Sequence, residues 1–203
     1  MGLKHQKGFT LIELLVALAV AAILLGIGIP SFSGAIENGR VSSDYSQITQ
    51  AMYLARSEAV KSHSAVTVCP KATFDATKCG TNSKDWKFGW LVFIDDDFAG
   101  TEASAKINDT DEIISVYSAP RSDNTIQAIG SNDKTASSAS IRHYIRYERE
   151  GTANWANGSF LLCNDSDAEL SRALNIAPTG DVRPGRPSGS KYPRDVFNRE
   201  ACK

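Results

Sequence analysis

One carboxylate in an otherwise apolar run is the residue most in need of a chemical reason. Residues 9–29, FTLIELLVALAVAAILLGIGI, carry a single charge, Glu13. An ionised acid inside a bilayer costs about 2.5–3.5 kcal/mol even on the lenient insertion scale, so it is expected to have a partner. Lys4 and Lys7 form a short basic leader ahead of Gly8 and Phe9. Cleavage after Gly8 would give Phe9 a free ammonium about one helical turn from Glu13. When such helices pack side by side with a stagger, that ammonium can pair with the Glu13 of a neighbouring subunit. The acid then serves as a register device, tolerable in an assembly.

Four cysteines stand at 69, 79, 163 and 202, all beyond the apolar run. An even number fits two disulfides, with three pairings open. There is no C-x-x-C, and no histidine lies two to five residues from a cysteine, so zinc is not expected. Disulfides imply an oxidising compartment outside the cytoplasm. We pair Cys69 with Cys79 and Cys163 with Cys202, closing loops worth about 3 and 4 kcal/mol by chain entropy. The second would tie down a tail rich in proline and glycine (Pro184, Gly185, Pro187, Gly189, Pro193).

The acids Asp95, Asp96, Asp97, Asp109, Asp111 and Glu112 invite a calcium reading. The EF-hand template fails, because Ala99 stands where a ligand oxygen is needed and Lys106 where the closing acid belongs. A solvated acidic loop between two strands is expected instead, with no metal and no cofactor. Catalysis is not expected either. Beyond the leader there are two histidines, His63 and His143, and the chain has no G-x-S-x-G, H-E-x-x-H or phosphate-cradling glycine loop. His143 reads as a core histidine on a strand.

The elements that must position these residues follow from pattern. At 203 residues and 42% hydrophobic content the chain can bury one good core. Its 22 basic and 23 acidic residues nearly cancel, so electrostatic function must be local. Gln6 removes the myristoylation reading, and the apolar run continues past the length of a secretory signal to that of one membrane span. Gly26, Gly28 and Pro30 weaken the helix and predict a bend or meltable segment rather than an end. Past it, Tyr45, Ile48, Met52, Ala55 and Ala59 recur at spacings of three and four, a core-facing stripe, with Arg40, Asp44, Arg56 and Glu58 on other faces. The helix is expected to fail near 61–64.

Beyond it, short β-like runs are expected at 65–69, 86–94, 113–117, 125–129, 141–147, 159–163 and 174–177. In 141–147, Ile141, His143, Ile145 and Tyr147 share one face, and Arg142, Tyr144 and Arg146 share the other. In 86–94 both faces are apolar, which predicts a central strand. The expected fold is α+β: a long N-terminal helix, transmembrane and then amphipathic, packed on an antiparallel β-sandwich-like domain.

Gly8-Phe9-Thr10-Leu11-Ile12-Glu13 resembles the prepilin signature of type IV pilins and type II secretion pseudopilins. The resemblance implies cutting after Gly8 by a prepilin peptidase, methylation at Phe9, and guidance of assembly by Glu13. Pro30 falls where many pilins carry a helix-bending proline. Residues 53–60, 65–70 and 89–95 are similar to the GspH/FimT group of minor pilins and pseudopilins, including the FimU-like members. The implied organisation is a leader at 1–8, a transmembrane and assembly helix at 9–29, its amphipathic continuation at 30–62, and a globular β domain at 63–203. The implied role is a minor pilin that initiates or caps a type IV pilus, with a type II secretion pseudopilin as the alternative. Its partners would be other pilins, the peptidase and the bacterial inner membrane, with the C-terminal domain in the periplasm and later at a fibre tip. Some FimT-type pilins are DNA-uptake receptors with a GRxR turn. Here Gly180-Asp181-Val182-Arg183 stands in that place, and Asp181 would repel phosphate. Arg183, Arg186, Lys191 and Arg194 are the candidate DNA contacts.

Overall fold

The computed structural model describes residues 9–82, 85–95, 105–121, 124–130, 144–153, 158–164 and 170–185, excepting the side chains of 27–32, 129 and 130. One helix, α1, runs Leu11–Ser62 and is not interrupted at Pro30. It stops where His63 takes φ +54°, a left-handed step that breaks the hydrogen-bond ladder. The chain divides into two compact units, Met1–Gly39 and Arg40–Lys203. The second half of α1 therefore belongs to the globular unit.

Among the described residues eight strands follow: β1 Val66–Pro70, β2 Trp90–Ile94, β3 Glu112–Tyr117, β4 Asn124–Gly130, β5 Ile145–Tyr147, β6 Gly158–Asn164, β7 Arg172–Ile176 and β8 Val182–Pro184. They form two four-stranded sheets, β3-β2-β1-β5 and β4-β6-β7-β8, antiparallel throughout. One core joins α1 to both. It takes Ile48, Met52, Ala55 and Ala59 from the helix, Val68 and Val92 from the first sheet, and Phe160 and Leu174 from the second. Each large side chain buried there stabilises by about 1.5–3 kcal/mol. The expected stripe is thus the docking face, with Tyr45 half-buried at its margin.

Period-two alternation sends Thr67, Cys69, Leu91 and Phe93 to the opposite face of the first sheet. There Cys69, Leu91, Phe93, Ala105 and Tyr144 form a second cluster. Tyr144 is therefore buried, whereas alternation had placed it with Arg146 on a polar face. Residues 141–143, His143 among them, lie outside the described residues.

The expected strand at 86–94 is two elements. Asp85–Phe88 is a 3-10 turn that buries Trp86 against Phe160, edge to face at 4.7 Å. Gly89 then turns the chain at φ +93°, and a Cβ there would meet the Tyr117 carbonyl oxygen at 2.3 Å. Only from Trp90 does the strand begin. β8 was not foreseen, because three residues with one apolar side chain carry no period.

Candidate functional site

Thr10 and Glu13 form a capping box at the start of α1. The Thr10 amide and hydroxyl donate to Glu13 Oε2 at 3.0 and 3.1 Å, and the Glu13 amide donates to Thr10 Oγ1 at 3.3 Å. Two orphan backbone donors of the helix are thereby satisfied within the chain. The T-x-x-E spacing that signals this was in the sequence and was passed over for the longer-range reading of Glu13. Past the cap, every large apolar side chain from Phe9 to Leu25 is exposed. A contiguous apolar surface of this kind calls for lipid or another helix. Among the described residues, no helix is long and apolar enough to cross a membrane. The side chains described end at Gly26 and resume at Ser33, so the described apolar stretch is shorter than the ~20 residues a span needs. Gly8 lies outside the described residues, as does the side chain of Pro30.

The second site is the turn between β7 and β8. Arg56, from the solvent side of α1, places Nη1 2.9 Å from Asp181 Oδ1 and donates from Nη2 to the Thr179 carbonyl at 3.0 Å. The Thr179 hydroxyl and Arg183 Nη2 reach Asp181 Oδ2 at 3.1 and 3.3 Å. The hydrogen bond from Arg56, and then that from Thr179, hold the Asp181 carboxyl below its usual range. Gly180, at φ +79°, lies so close to Gly151 that a Cβ would meet the Gly151 carbonyl oxygen at 1.9 Å. Ala153 N donates to the Pro178 carbonyl at 2.9 Å, locking the same two turns together. Beneath them, burial pushes the Tyr147 phenol up. Asp181, expected to repel phosphate, is the centre of an ion-pair cluster that also engages Arg183. Arg186, Lys191 and Arg194 lie outside the described residues.

Two acids were misplaced by sequence. Asp95, expected in a solvated loop, is 1% exposed, with Arg146 Nη1 at 2.6 Å and the Thr67 hydroxyl at 2.7 Å on Oδ2. Alternation explains this, since Thr67 and Arg146 are paired in register on one face of the first sheet. Asp44, assigned to a polar helix face, is wholly buried and accepts from the Arg121 amide at 3.0 Å and Asn124 Nδ2 at 2.9 Å. Asn164 Nδ2 extends the chain of bonds to Asn124 Oδ1 at 2.9 Å. Neither acid carried a local signal, because the partners lie far away in sequence.

Cys69 and Cys79 form a disulfide. Cys163 is also disulfide-bonded, and Cys202 lies outside the described residues. Among the described residues, no three His, Cys, Asp or Glu side chains converge as a metal site. Asp96 and Asp97 lie outside them.

The family profile described as Type II transport protein GspH matches residues 45–180. That described as Prokaryotic N-terminal methylation motif matches residues 3–29. Among curated proteins, none is similar in sequence to this chain. Two crystal structures of the Pseudomonas aeruginosa type IV minor pilin FimU are similar in fold. One is 18% identical, with 74% of this chain and 91% of that chain covered and a TM-score of 0.49. The other is 17% identical, with 71% and 92% covered and a TM-score of 0.46. The GspH match runs from Tyr45 in α1 through β7 to Gly180, so the chain belongs to the GspH family and carries a prokaryotic N-terminal methylation motif ahead of its globular unit.

Proposed function

We propose that this chain is a minor pilin of a type IV pilus, a structural and non-enzymatic subunit that enters the fibre through its N-terminal helix and initiates or caps it. The observation that carries the reading is one juxtaposition. A methylation motif opens onto an exposed apolar helix with a single acid, and that helix continues into a GspH-family domain. Residues 1–8 are removed by prepilin peptidase and Phe9 is methylated. Residues 9–29 hold the precursor in the inner membrane, with the domain at 63–203 in the periplasm. In the fibre, the Glu13 of one subunit meets the Phe9 ammonium of the next.

The capping box qualifies how this happens. In the single chain Glu13 is engaged by Thr10, so its charge is tolerated before a neighbour arrives. Assembly adds a cation to a carboxylate that accepts both Thr10 bonds on Oε2. The family's description favours a second reading, a pseudopilin of type II secretion. Deleting the gene and scoring fibres and twitching against protein secretion separates the two. Loss of secretion with intact fibres would transfer the protein to the second system. DNA contact through Arg183, with Arg186, Lys191 and Arg194, draws no support from the turn, where Arg183 is turned to Asp181.

A further inference from the structure

Asp181 is ligated as a bound anion would be. Its two oxygens take charged donors from different elements, Arg56 of α1 at 2.9 Å and Arg183 of β8 at 3.3 Å, with the Thr179 hydroxyl at 3.1 Å. Two guanidiniums and a hydroxyl around one point are the donor set that recognises phosphate oxygens. The frame is rigid: Gly180 sits against the Gly151 carbonyl, and Arg56 is fixed a second time through the Thr179 carbonyl. The donors remain accessible, since the Arg56 and Arg183 side chains are 34% and 72% exposed.

We infer that the β7–β8 turn is an anion site whose occupant is the chain's own Asp181, which keeps phosphate and phosphodiesters off this face. A tethered carboxylate competes at an effective concentration in the millimolar range or above, against which a weak surface contact to free phosphate cannot prevail. Asp181 is then the residue that determines specificity at this turn. With it present the two arginines serve the fold, and without it they carry two positive charges with no other ion-pair partner among the described residues.

The test uses the full chain in neutral detergent, with inorganic phosphate and a short fluorescent DNA duplex as probes at low salt. Wild type is expected to show no saturable binding of either. Asp181→Asn and Asp181→Ala are expected to gain saturable binding of phosphate and of duplex, the duplex titration saturating at least about tenfold below the highest concentration at which wild type shows no saturation. Adding Arg56→Ala to Asp181→Ala should abolish the gain. A gain for phosphate alone confines the site to small anions and still supports the inference. Asp181→Asn keeps an acceptor oxygen for Arg56, and a thermal melt verifies its fold. A folded Asp181→Asn that gains nothing overturns the inference. So does wild type that binds phosphate with shifts in the Arg56 and Arg183 guanidinium resonances, a measurement that needs no variant. None of these readouts involves fibre incorporation, so failure here leaves the pilin reading standing.

Discussion

The Arg56 guanidinium and the Asp181 carboxylate meet at 2.9 Å across a sequence separation of 125 residues. The pair ties the end of the second sheet to α1. It also sets the charge of the turn that holds Arg183, a candidate DNA contact in the sequence.

The pair makes stability depend on pH in a definite direction. Asp181 has its folded pKa lowered from the ordinary 3.8, so its contribution is present above that value and lost as pH falls through the lower folded pKa. Wild type should therefore melt above Asp181→Asn by a constant margin from pH 7 to about 5. The margin should shrink as pH falls below about 4 and go on shrinking with further acidification. A margin that widens on acidification would contradict the assignment.

Breaking the pair beneath the first sheet should cost far more. Arg146→Ala leaves Asp95 buried, with the Thr67 hydroxyl still donating to Oδ2, and the expected loss is about 3–5 kcal/mol in denaturant unfolding. The double variant Asp95→Ala with Arg146→Met should recover most of it, because no charge is then stranded. A single-variant loss under about 1 kcal/mol would show the pair to be solvated.

Asp44 is the polar pin of the helix. Asp44→Ala strands the Arg121 amide and the Asn124 side-chain amide, at an expected cost of about 2–4 kcal/mol. Hydrogen exchange should accelerate in α1 around Val41–Met52 and in β4 together. Acceleration confined to the helix would mean that the network does not couple the two.

The glutamate in the apolar run has two roles that one substitution separates. Glu13→Gln retains the side-chain oxygen that closes the capping box but discards the charge. If charge governs assembly, Glu13→Gln and Glu13→Ala should both insert in the membrane and both be depleted about tenfold or more from sheared fibres. If capping is the whole role, Glu13→Gln should incorporate like wild type.

The parts of this molecule that were legible in sequence are those with a period or a local signature. The stripe from Tyr45 to Ala59 found the docking face, because 3.6-residue spacing is a property of neighbours in sequence. Five of the β runs fell on strands with small boundary shifts, 141–147 ends in β5 with 141–143 outside the described residues, and 86–94 held one strand behind a turn set by Gly89. β8 was missed because Val182 alone is apolar in it. Asp44 and Asp95 were misread for a different reason. A polar residue on a helix or at a strand end looks solvated until the distant chain that covers it is known, and the partners of these two come from other elements. The capping box was legible in Thr10 and Glu13 and was overlooked because one residue was given one role.

The claim on which the functional account rests is that the chain is processed and joined to others through its new N-terminus. The direct measurement is the N-terminal residue and intact mass of the protein recovered from sheared fibres of its native host. The account predicts a polypeptide that begins at Phe9 and carries one additional methyl group. A fibre-free, membrane-held protein that still begins at Met1 would contradict it.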